Sequence, residues 1–238
     1  MRPYRPPRVT TVPAGPSHDD IQAVVFDLDG VLVDSETIWD DARRALVANY
    51  GGTWLPAATR DMMGMSSREW SAYLHDNLGV PLSAERISSE VAEFVGERYA
   101  ERLPLLPGAR EAVLRLAHRW PLGLASSSNR TIIDRFLDAS SLRACFAATV
   151  SSEEVERGKP APDVYLAAAA RLGAAIPRCV AIEDSTNGIR AAAAATMTVI
   201  AVPNTHFPPT ADALALATLV LPNLASLTTE RIQRAADG

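Results

Sequence analysis

Two carboxylates close the first apolar run of the chain, and their spacing suits groups that act together in one reaction. Residues 24–26 are apolar, Asp27 and Asp29 follow at alternate positions, and Gly30 comes next. The run predicts a strand buried on both faces, so both acids would lie at its carboxyl end. Ligands bind at that edge of an open parallel sheet. An Asp-x-Asp pair also fits a calcium loop or a helix start, but the flanking apolar residues argue against an EF-hand loop.

A second acidic pair, Glu183 and Asp184, follows another apolar run at residues 180–182. One of these acids could instead help Ser185 to cap the helix that comes next. If the pair shares a sheet edge with Asp27 and Asp29, however, like charges would repel strongly unless a cation is bound. Ligands that are all oxygen favour Mg²⁺. The sequence therefore predicts a magnesium site.

Two further stretches carry groups suited to phosphate. Ser126 ends the apolar run 122–126 and precedes Ser127 and Asn129, just before a predicted helix. Hydroxyl and backbone N–H groups at a helix start can bind phosphate oxygens, although a serine-rich helix cap explains them equally well. Lys159 lies in a loop before Pro160 and does not fit a P-loop. Taken alone, Lys159 is best interpreted as a solvated charge in a loop. If it lies beside several carboxylates, it is instead their counter-ion.

The elements that would position these groups follow a regular pattern after Pro107, where helix and strand alternate up to a closing helix at 229–236. The predicted elements in this part are helices at 109–119, 131–137, 163–172 and 187–195 and strands at 122–126, 148–151, 180–183, 198–202 and 219–221. Such alternation predicts an α/β fold, a doubly wound and mostly parallel sheet.

Between the first strand and Pro107 the pattern is helical, with predicted helices at 36–50, 66–78 and 83–103. We therefore expect an inserted helical cap at 36–104 and a core formed by 21–35 and 105–238. Residues 1–20 are rich in proline and predict a disordered tail.

The composition describes an ordinary globular protein of 238 residues, with 47% hydrophobic residues and a net charge of -5. This mildly negative net charge gives no indication of binding to nucleic acid or to an anionic membrane. No apolar segment approaches the roughly 20 residues of a membrane span. Prolines interrupt the N-terminus where a secretory signal would be apolar, and two cysteines are too few for a disulfide framework. We expect a cytoplasmic protein, either a monomer or a weak homodimer.

The set formed by Asp27-Leu28-Asp29-Gly30, Ser126, Lys159 and Glu183-Asp184 resembles the four motifs of the haloacid dehalogenase superfamily, in order and at suitable separations. The resemblance covers the chain beyond residue 20 and is greatest to the sugar-phosphatase and beta-phosphoglucomutase branch. It implies a Rossmann-like core with a small helical cap. It also implies a Mg²⁺-dependent phosphomonoester hydrolase that acts on a small phosphorylated metabolite, such as a sugar phosphate.

The resemblance also assigns roles to the motif residues. Asp27 would be the nucleophile that forms an aspartyl-phosphate, and Asp29 would be the general acid and base. Ser126 and Lys159 would bind the transferring oxygens. The metal ligands would be Asp27, Asp29 through its backbone carbonyl, Asp184 and, directly or indirectly, Glu183. Contacts to substrate are expected from Gly30, Glu36, Trp39, Arg68, Ser127 and Asn129.

Two other functions compete with hydrolysis. A beta-phosphoglucomutase would carry a histidine in the first cap helix, but Trp39 stands at the matching position, which favours hydrolysis. A metal-binding regulatory protein without useful turnover is the third reading. Arg68 as a specificity residue also has a simpler alternative, namely an exposed residue in the first turn of a helix.

Overall fold

A parallel sheet of six strands forms the centre of the molecule. The computed structural model describes residues 21–63, 65–205 and 207–237, so the tail predicted at 1–20 lies outside the described residues. The strands are β1 (Ala23–Phe26), β2 (Leu122–Ser126), β3 (Phe146–Ser151), β4 (Cys179–Glu183), β5 (Thr198–Ala201) and β6 (Leu219–Val220). Their order across the sheet is β3-β2-β1-β4-β5-β6. Every neighbouring pair is parallel. The predicted α/β fold class is confirmed.

Helices flank the sheet on both faces, as a parallel sheet requires. They are α1 (Glu36–Asn49), α2 (Ala58–Asp61), α3 (Ser67–Asp76), α4 (Ala84–Glu101), α5 (Ala109–Ala117), α6 (Arg130–Ser140), α7 (Asp163–Leu172), α8 (Thr186–Ala194), α9 (Ala211–Leu214) and α10 (Thr229–Ala236). Successive β1 residues point to opposite faces: Val24 and Phe26 join one apolar cluster, Ala23 and Val25 the other. Because β1 is central and fully buried, its carboxyl end is held firmly in place.

The four helices α1 to α4 occupy the stretch between β1 and α5, and the chain leaves and re-enters the sheet region at one point. Val33 forms an isolated antiparallel bridge with Leu105. The N–H of Asp34 donates to the carbonyl of Pro104 at 2.9 Å. The side-by-side exit and return are compatible with the inserted block predicted at 36–104, whose status as a separate cap stays a prediction.

Most helices and strands have bounds close to those predicted from the local sequence pattern. The closing helix α10 has the predicted bounds, and Ser66 and Glu69 form a capping box at the start of α3. The one-turn helices α2 and α9 were not predicted, because four residues are too short to show helical periodicity. Within the described ranges, no helix combines the length and apolar character that crossing a membrane would require.

Candidate active site

The predicted convergence of distant segments on the end of β1 is present in the structure. Asp27 directly follows β1, and the Nζ of Lys159 donates to its Oδ1 at 2.6 Å. The same ammonium donates to Oε1 of Glu183, also at 2.6 Å. All three side chains are buried. Lys159 therefore serves as a buried counter-ion, one of the two alternatives that the sequence left open.

Asp184 completes a cluster of three buried carboxylates. Asp27, Glu183 and Asp184 can each offer an oxygen within 4.8 Å of the other two. Gly30 makes this approach possible, since it has a φ of +80° and a Cβ there would collide with the Asp184 carboxylate. In this geometry Gly30 provides space for Asp184, whatever contact it makes with a substrate.

Glu183 is the fully buried member of this cluster, and both of its carboxylate oxygens accept hydrogen bonds. Besides Lys159, the phenol of Tyr165 donates to its Oε1 at 2.6 Å. Its Oε2 accepts the backbone N–H of Asp184 at 3.1 Å and the hydroxyl of Ser185 at 3.3 Å. Ser185 also accepts the N–H of Gly188 and so caps α8. This network fixes Glu183 and leaves Asp184 as the more accessible oxygen donor.

Asp29 is surrounded by donors from the sheet edge and from the helical block. Ser35 donates to its Oδ1 at 2.5 Å and the indole Nε1 of Trp39 at 3.1 Å. The buried Tyr99 hydroxyl donates to the same oxygen at 3.4 Å. On the other side Ser128 donates to Oδ2 at 2.6 Å. These contacts hold the carboxylate between the two parts of the fold.

The serines at the end of β2 differ in whether they line the cavity. Ser126 is fully buried, donates to Asp29 Oδ2 at 3.4 Å and accepts the N–H of Ser128 at 2.9 Å. Ser127 and Ser128 line the cavity that also contains Asp27 and Lys159. The cavity-facing donors of this run are therefore the two residues after Ser126.

That cavity has a volume of about 510 Å³, within the range of small-molecule sites. Glu36 and Trp39 line it together with Asp29 and Asp184, and their contact with substrate stays a prediction. Its walls come from the strand ends, from the helical block, from the start of α8 and from the segment before α9.

Arg68 and Asn129 lie elsewhere, in a neighbouring cavity of about 650 Å³ between the helical block and α6. The amide nitrogen of Asn129 there donates to Ser88 Oγ at 2.9 Å and to Glu153 Oε1 at 2.7 Å. The structure thus does not bring these two residues to the end of β1, and their contact with substrate stays a prediction.

Burial and crowding perturb the ionisation of the cluster. Burial raises the pKa of Asp27 to about 8; Lys159 opposes this effect, and Glu183 and Asp29 add to it. Burial and then the charges of Glu183 and Asp27 raise the pKa of Asp184 well above its usual range. For Lys159, burial lowers the pKa, but Asp27 and Glu183 outweigh it and leave the pKa above its usual value. The site thus contains three carboxyl groups and only one ammonium group, so it lacks positive charge.

Comparison with known proteins identifies the family. The model of the haloacid dehalogenase-like hydrolase family matches residues 21–196. The chain belongs to this family. Hexitol phosphatase B of Escherichia coli strain K12 is 38% identical over 189 residues, which cover 77% of this chain and 84% of that protein. The phosphorylated carbohydrates phosphatase of Thermotoga maritima is 34% identical over 177 residues, with 74% and 82% covered.

Among solved structures, CbbY from Rhodobacter sphaeroides in complex with xylulose-(1,5)bisphosphate is similar to this chain. Its TM-score is 0.78 at 26% identity, and the match covers 87% of this chain and 96% of that one. The suspected haloacid dehalogenase relationship is therefore confirmed, both by sequence and by fold.

Haloacid dehalogenase-like hydrolases use a divalent cation, and the residues of this chain fit one. Oδ1 of Asp184 is buried and has no hydrogen-bond partner. It belongs to the cluster of three carboxylates, whose oxygen-only donors suit a hard dication such as Mg²⁺ or Ca²⁺. A dication would also supply the positive charge that Lys159 alone does not provide.

Several residues of the site had no local signal in the sequence. Tyr165 lies on α7 and reaches Glu183 only because that helix packs over the sheet; the Nζ of Lys159 lies 5.1 Å from its ring centroid. Tyr99 comes from α4, a distant part of the helical block. Arg43 was recognisable in principle, since it follows Trp39 by one helical turn on the face that Leu46 buries. A cation on an apolar helix face is unusual.

Proposed function

We propose that this haloacid dehalogenase-like hydrolase is a Mg²⁺-dependent phosphatase of small phosphorylated metabolites, with Asp27 as its nucleophile. One observation carries the proposal: the Asp27 carboxylate lies at the open end of the central strand, 2.6 Å from Lys159 and within ligand distance of Asp184. A nucleophile, a cation and metal-ligating oxygens thus meet in one cavity. Phosphoryl transfer needs little beyond such positioning and charge neutralisation.

In the first step Asp27 attacks the phosphorus, its carboxylate oxygen forms a bond to it, and the bond to the ester oxygen breaks. The leaving alkoxide takes a proton from Asp29, which would have to enter this step protonated. Lys159 and the donors of Ser127 bind the phosphoryl oxygens and reduce repulsion between the two anions. Asp27, Asp184 and the Asp29 carbonyl would hold Mg²⁺, which supplies charge neutralisation at the phosphoryl group.

In the second step Asp29, now ionised, takes a proton from water, and the water oxygen attacks the phosphorus of the aspartyl-phosphate. Inorganic phosphate leaves and Asp27 is regenerated as a carboxylate. The five donors around Asp29 orient its carboxyl group, and the hydrogen bonds of Glu183 hold Lys159 in position beside Asp27.

Phosphorylated polyols and sugars are the substrate class that the relatives support. One relative is named a hexitol phosphatase, another a phosphatase of phosphorylated carbohydrates. The cavity of about 510 Å³ offers Glu36 as a polar partner for hydroxyls and the indole of Trp39 as an apolar surface. Both features suit a short polyhydroxylated chain.

Trp39 argues for water rather than a second sugar hydroxyl as the phosphoryl acceptor. Its Nε1 donates to Asp29, and an indole N–H can only donate, so Trp39 cannot accept and return a proton as an imidazole does. The mutase alternative therefore lacks the histidine that it would be expected to use. Isomerised sugar phosphate formed without free phosphate would contradict hydrolysis.

The proposal is tested by the release of inorganic phosphate from a panel of phosphorylated metabolites in the presence of Mg²⁺. Asp27→Asn removes the nucleophilic oxygen with little change in volume, and we expect kcat to fall by about a thousandfold or more. Far-UV circular dichroism checks that the variant remains folded.

Asp34→Asn is the matched control, since Asp34 is an exposed carboxylate in the same segment and lines neither cavity. It should retain wild-type turnover. Equal turnover of Asp27→Asn and the wild type would exclude Asp27 as the nucleophile. No phosphate release from any substrate by a folded, Mg²⁺-loaded wild type would favour the regulatory alternative.

A further inference from the structure

Arg43 is a buried cation in the wall of the cavity that contains Asp27 and Lys159. It lies on α1, one turn after Trp39, and lines the cavity although only 9% of the residue is exposed. Its guanidinium carbon is 5.4 Å from the ring centroid of Trp39 and 5.2 Å from that of Trp70. Two indoles thus hold the planar group and restrict its orientation.

This guanidinium has no ion-pair partner within 4.0 Å among the residues that the structure describes. Its Nε is buried and makes no hydrogen bond. Asp40, a nearby acid on the same helix, is engaged elsewhere: it accepts from Arg44 at 2.6 Å and from Thr59 at 2.7 Å. No hydrogen bond from the terminal nitrogens of Arg43 is present among the described residues, so these donors remain available to a molecule in the cavity.

The charge on Arg43 persists in spite of this environment. Burial lowers the pKa of Arg43 to about 10, and the charges of Glu36 and Asp40 limit the decrease. At neutral pH the side chain is still protonated. A desolvated and unpaired charge is costly, so an anion that enters the cavity gains more from Arg43 than a neutral group does.

Apart from Glu36, whose charge acts on Arg43, the rest of the helical wall is mostly apolar. Met62, Met65 and Trp70 are apolar, while Arg60 is exposed and has Asp61 at 3.8 Å. The strand-end wall carries Asp27, Asp29, Asp184, Lys159 and the serines, while Glu36 is the acid of the helical wall. The cavity therefore contains two cations in different settings: Lys159, paired with carboxylates at the strand ends, and Arg43 in the helical wall, without an ion-pair partner among the described residues.

We propose that Arg43 binds a second oxyanion of the substrate, a carboxylate or a further phosphate, remote from the phosphoryl group that Asp27 attacks. A guanidinium presents two parallel N–H donors that match either oxyanion, whereas a hydroxyl would leave its charge uncompensated. The inference rests on the proposed phosphatase function and narrows its substrates to phosphorylated acids and bisphosphates.

The test compares three substrates that share a six-carbon chain and one phosphate ester but differ at the opposite end: glucitol phosphate, phosphogluconate and glucitol bisphosphate. The measurement is kcat/KM for phosphate release with Mg²⁺. We expect wild type to prefer phosphogluconate, glucitol bisphosphate or both over glucitol phosphate by about 10- to 100-fold, as a charge-assisted pair provides. The last two substrates distinguish a carboxylate site from a phosphate site.

Arg43→Gln should abolish this preference mainly through KM, and Arg43→Lys should restore part of it. Arg44→Gln is the matched control: Arg44 is the next residue, is exposed and lies outside the cavity lining, so the preference should persist. Thermal melts check that each variant folds. Equal kcat/KM of wild type for all three substrates, or an equal loss for all three in Arg43→Gln, would overturn the inference.

A binding measurement tests the Arg43 site independently of the proposed phosphatase activity. Calorimetric titration of Mg²⁺-loaded Asp27→Asn with the three compounds measures affinity without turnover. Tighter binding of an oxyanion-bearing compound, lost on adding Arg43→Gln, would support the Arg43 site even if the wild type released no phosphate. Equal affinities would reject the site even if phosphatase activity were established.

Discussion

Lys159→Met tests whether Lys159 holds two buried carboxylates in place. Its side chain is 3% exposed and contacts Asp27 and Glu183 at 2.6 Å each, and those side chains are 8% and 0% exposed. Breaking a buried pair by removing one partner costs about 3–5 kcal/mol, because uncompensated charge remains in the interior. We expect the free energy of unfolding of the metal-free protein to fall by about that amount at neutral pH.

Urea unfolding followed by circular dichroism, with EDTA and with excess Mg²⁺, measures this effect. Mg²⁺ should recover part of the loss, since it binds the same carboxylates in the folded state. Arg157→Gln is the control from the same loop, because Arg157 pairs with Asp163 at 2.8 Å but its side chain is 66% exposed. Its effect should be much smaller. If Lys159→Met unfolded at the same urea concentration as Arg157→Gln, Lys159 would not be the counter-ion of this cluster.

Two further predictions concern the cavity wall. Burial, and then the charge of Asp29, raises the pKa of Glu36 to about 7 from a model-compound value of 4.5. The folded state therefore binds more protons than the unfolded state over this interval, and stability falls as pH rises through it. In the metal-free Glu36→Gln variant, the free energy of unfolding should decrease between those two pH values by about 2–3 kcal/mol less than in the wild type. An unchanged pH dependence would contradict the assignment of this effect to Glu36. Trp39→Phe removes the indole donor to Asp29, so kcat should fall by about tenfold and the pH profile of kcat should shift, whereas a change confined to KM would indicate packing alone.

The sequence determined the sheet and the motif residues at its edge. Uniformly apolar runs followed by acids, serines or glycine identify the strand ends, and parallel topology brings such ends to one edge. Asp27 and Asp184 were predicted to meet for that reason, whereas Lys159, which lies in a loop, was added by the resemblance to the haloacid dehalogenase motifs. The capping box of α3 was equally local, because it depends on two side chains three residues apart.

Only the tertiary structure decided what surrounds these groups. The sequence could not tell that Glu183 is enclosed by Tyr165, or that Tyr99 reaches Asp29, because those contacts depend on how helices pack over the sheet. The contact of Arg68 with substrate stays a prediction: Arg68 lines the neighbouring cavity, and the helical block brings Arg43 to the cavity with Asp27. Periodicity in the sequence indicates which face of a helix is buried. The element against which that face packs depends on contacts between residues far apart in the chain. The residues that end a strand can thus be read from the local sequence, whereas the helix side chains that line the cavity depend on packing.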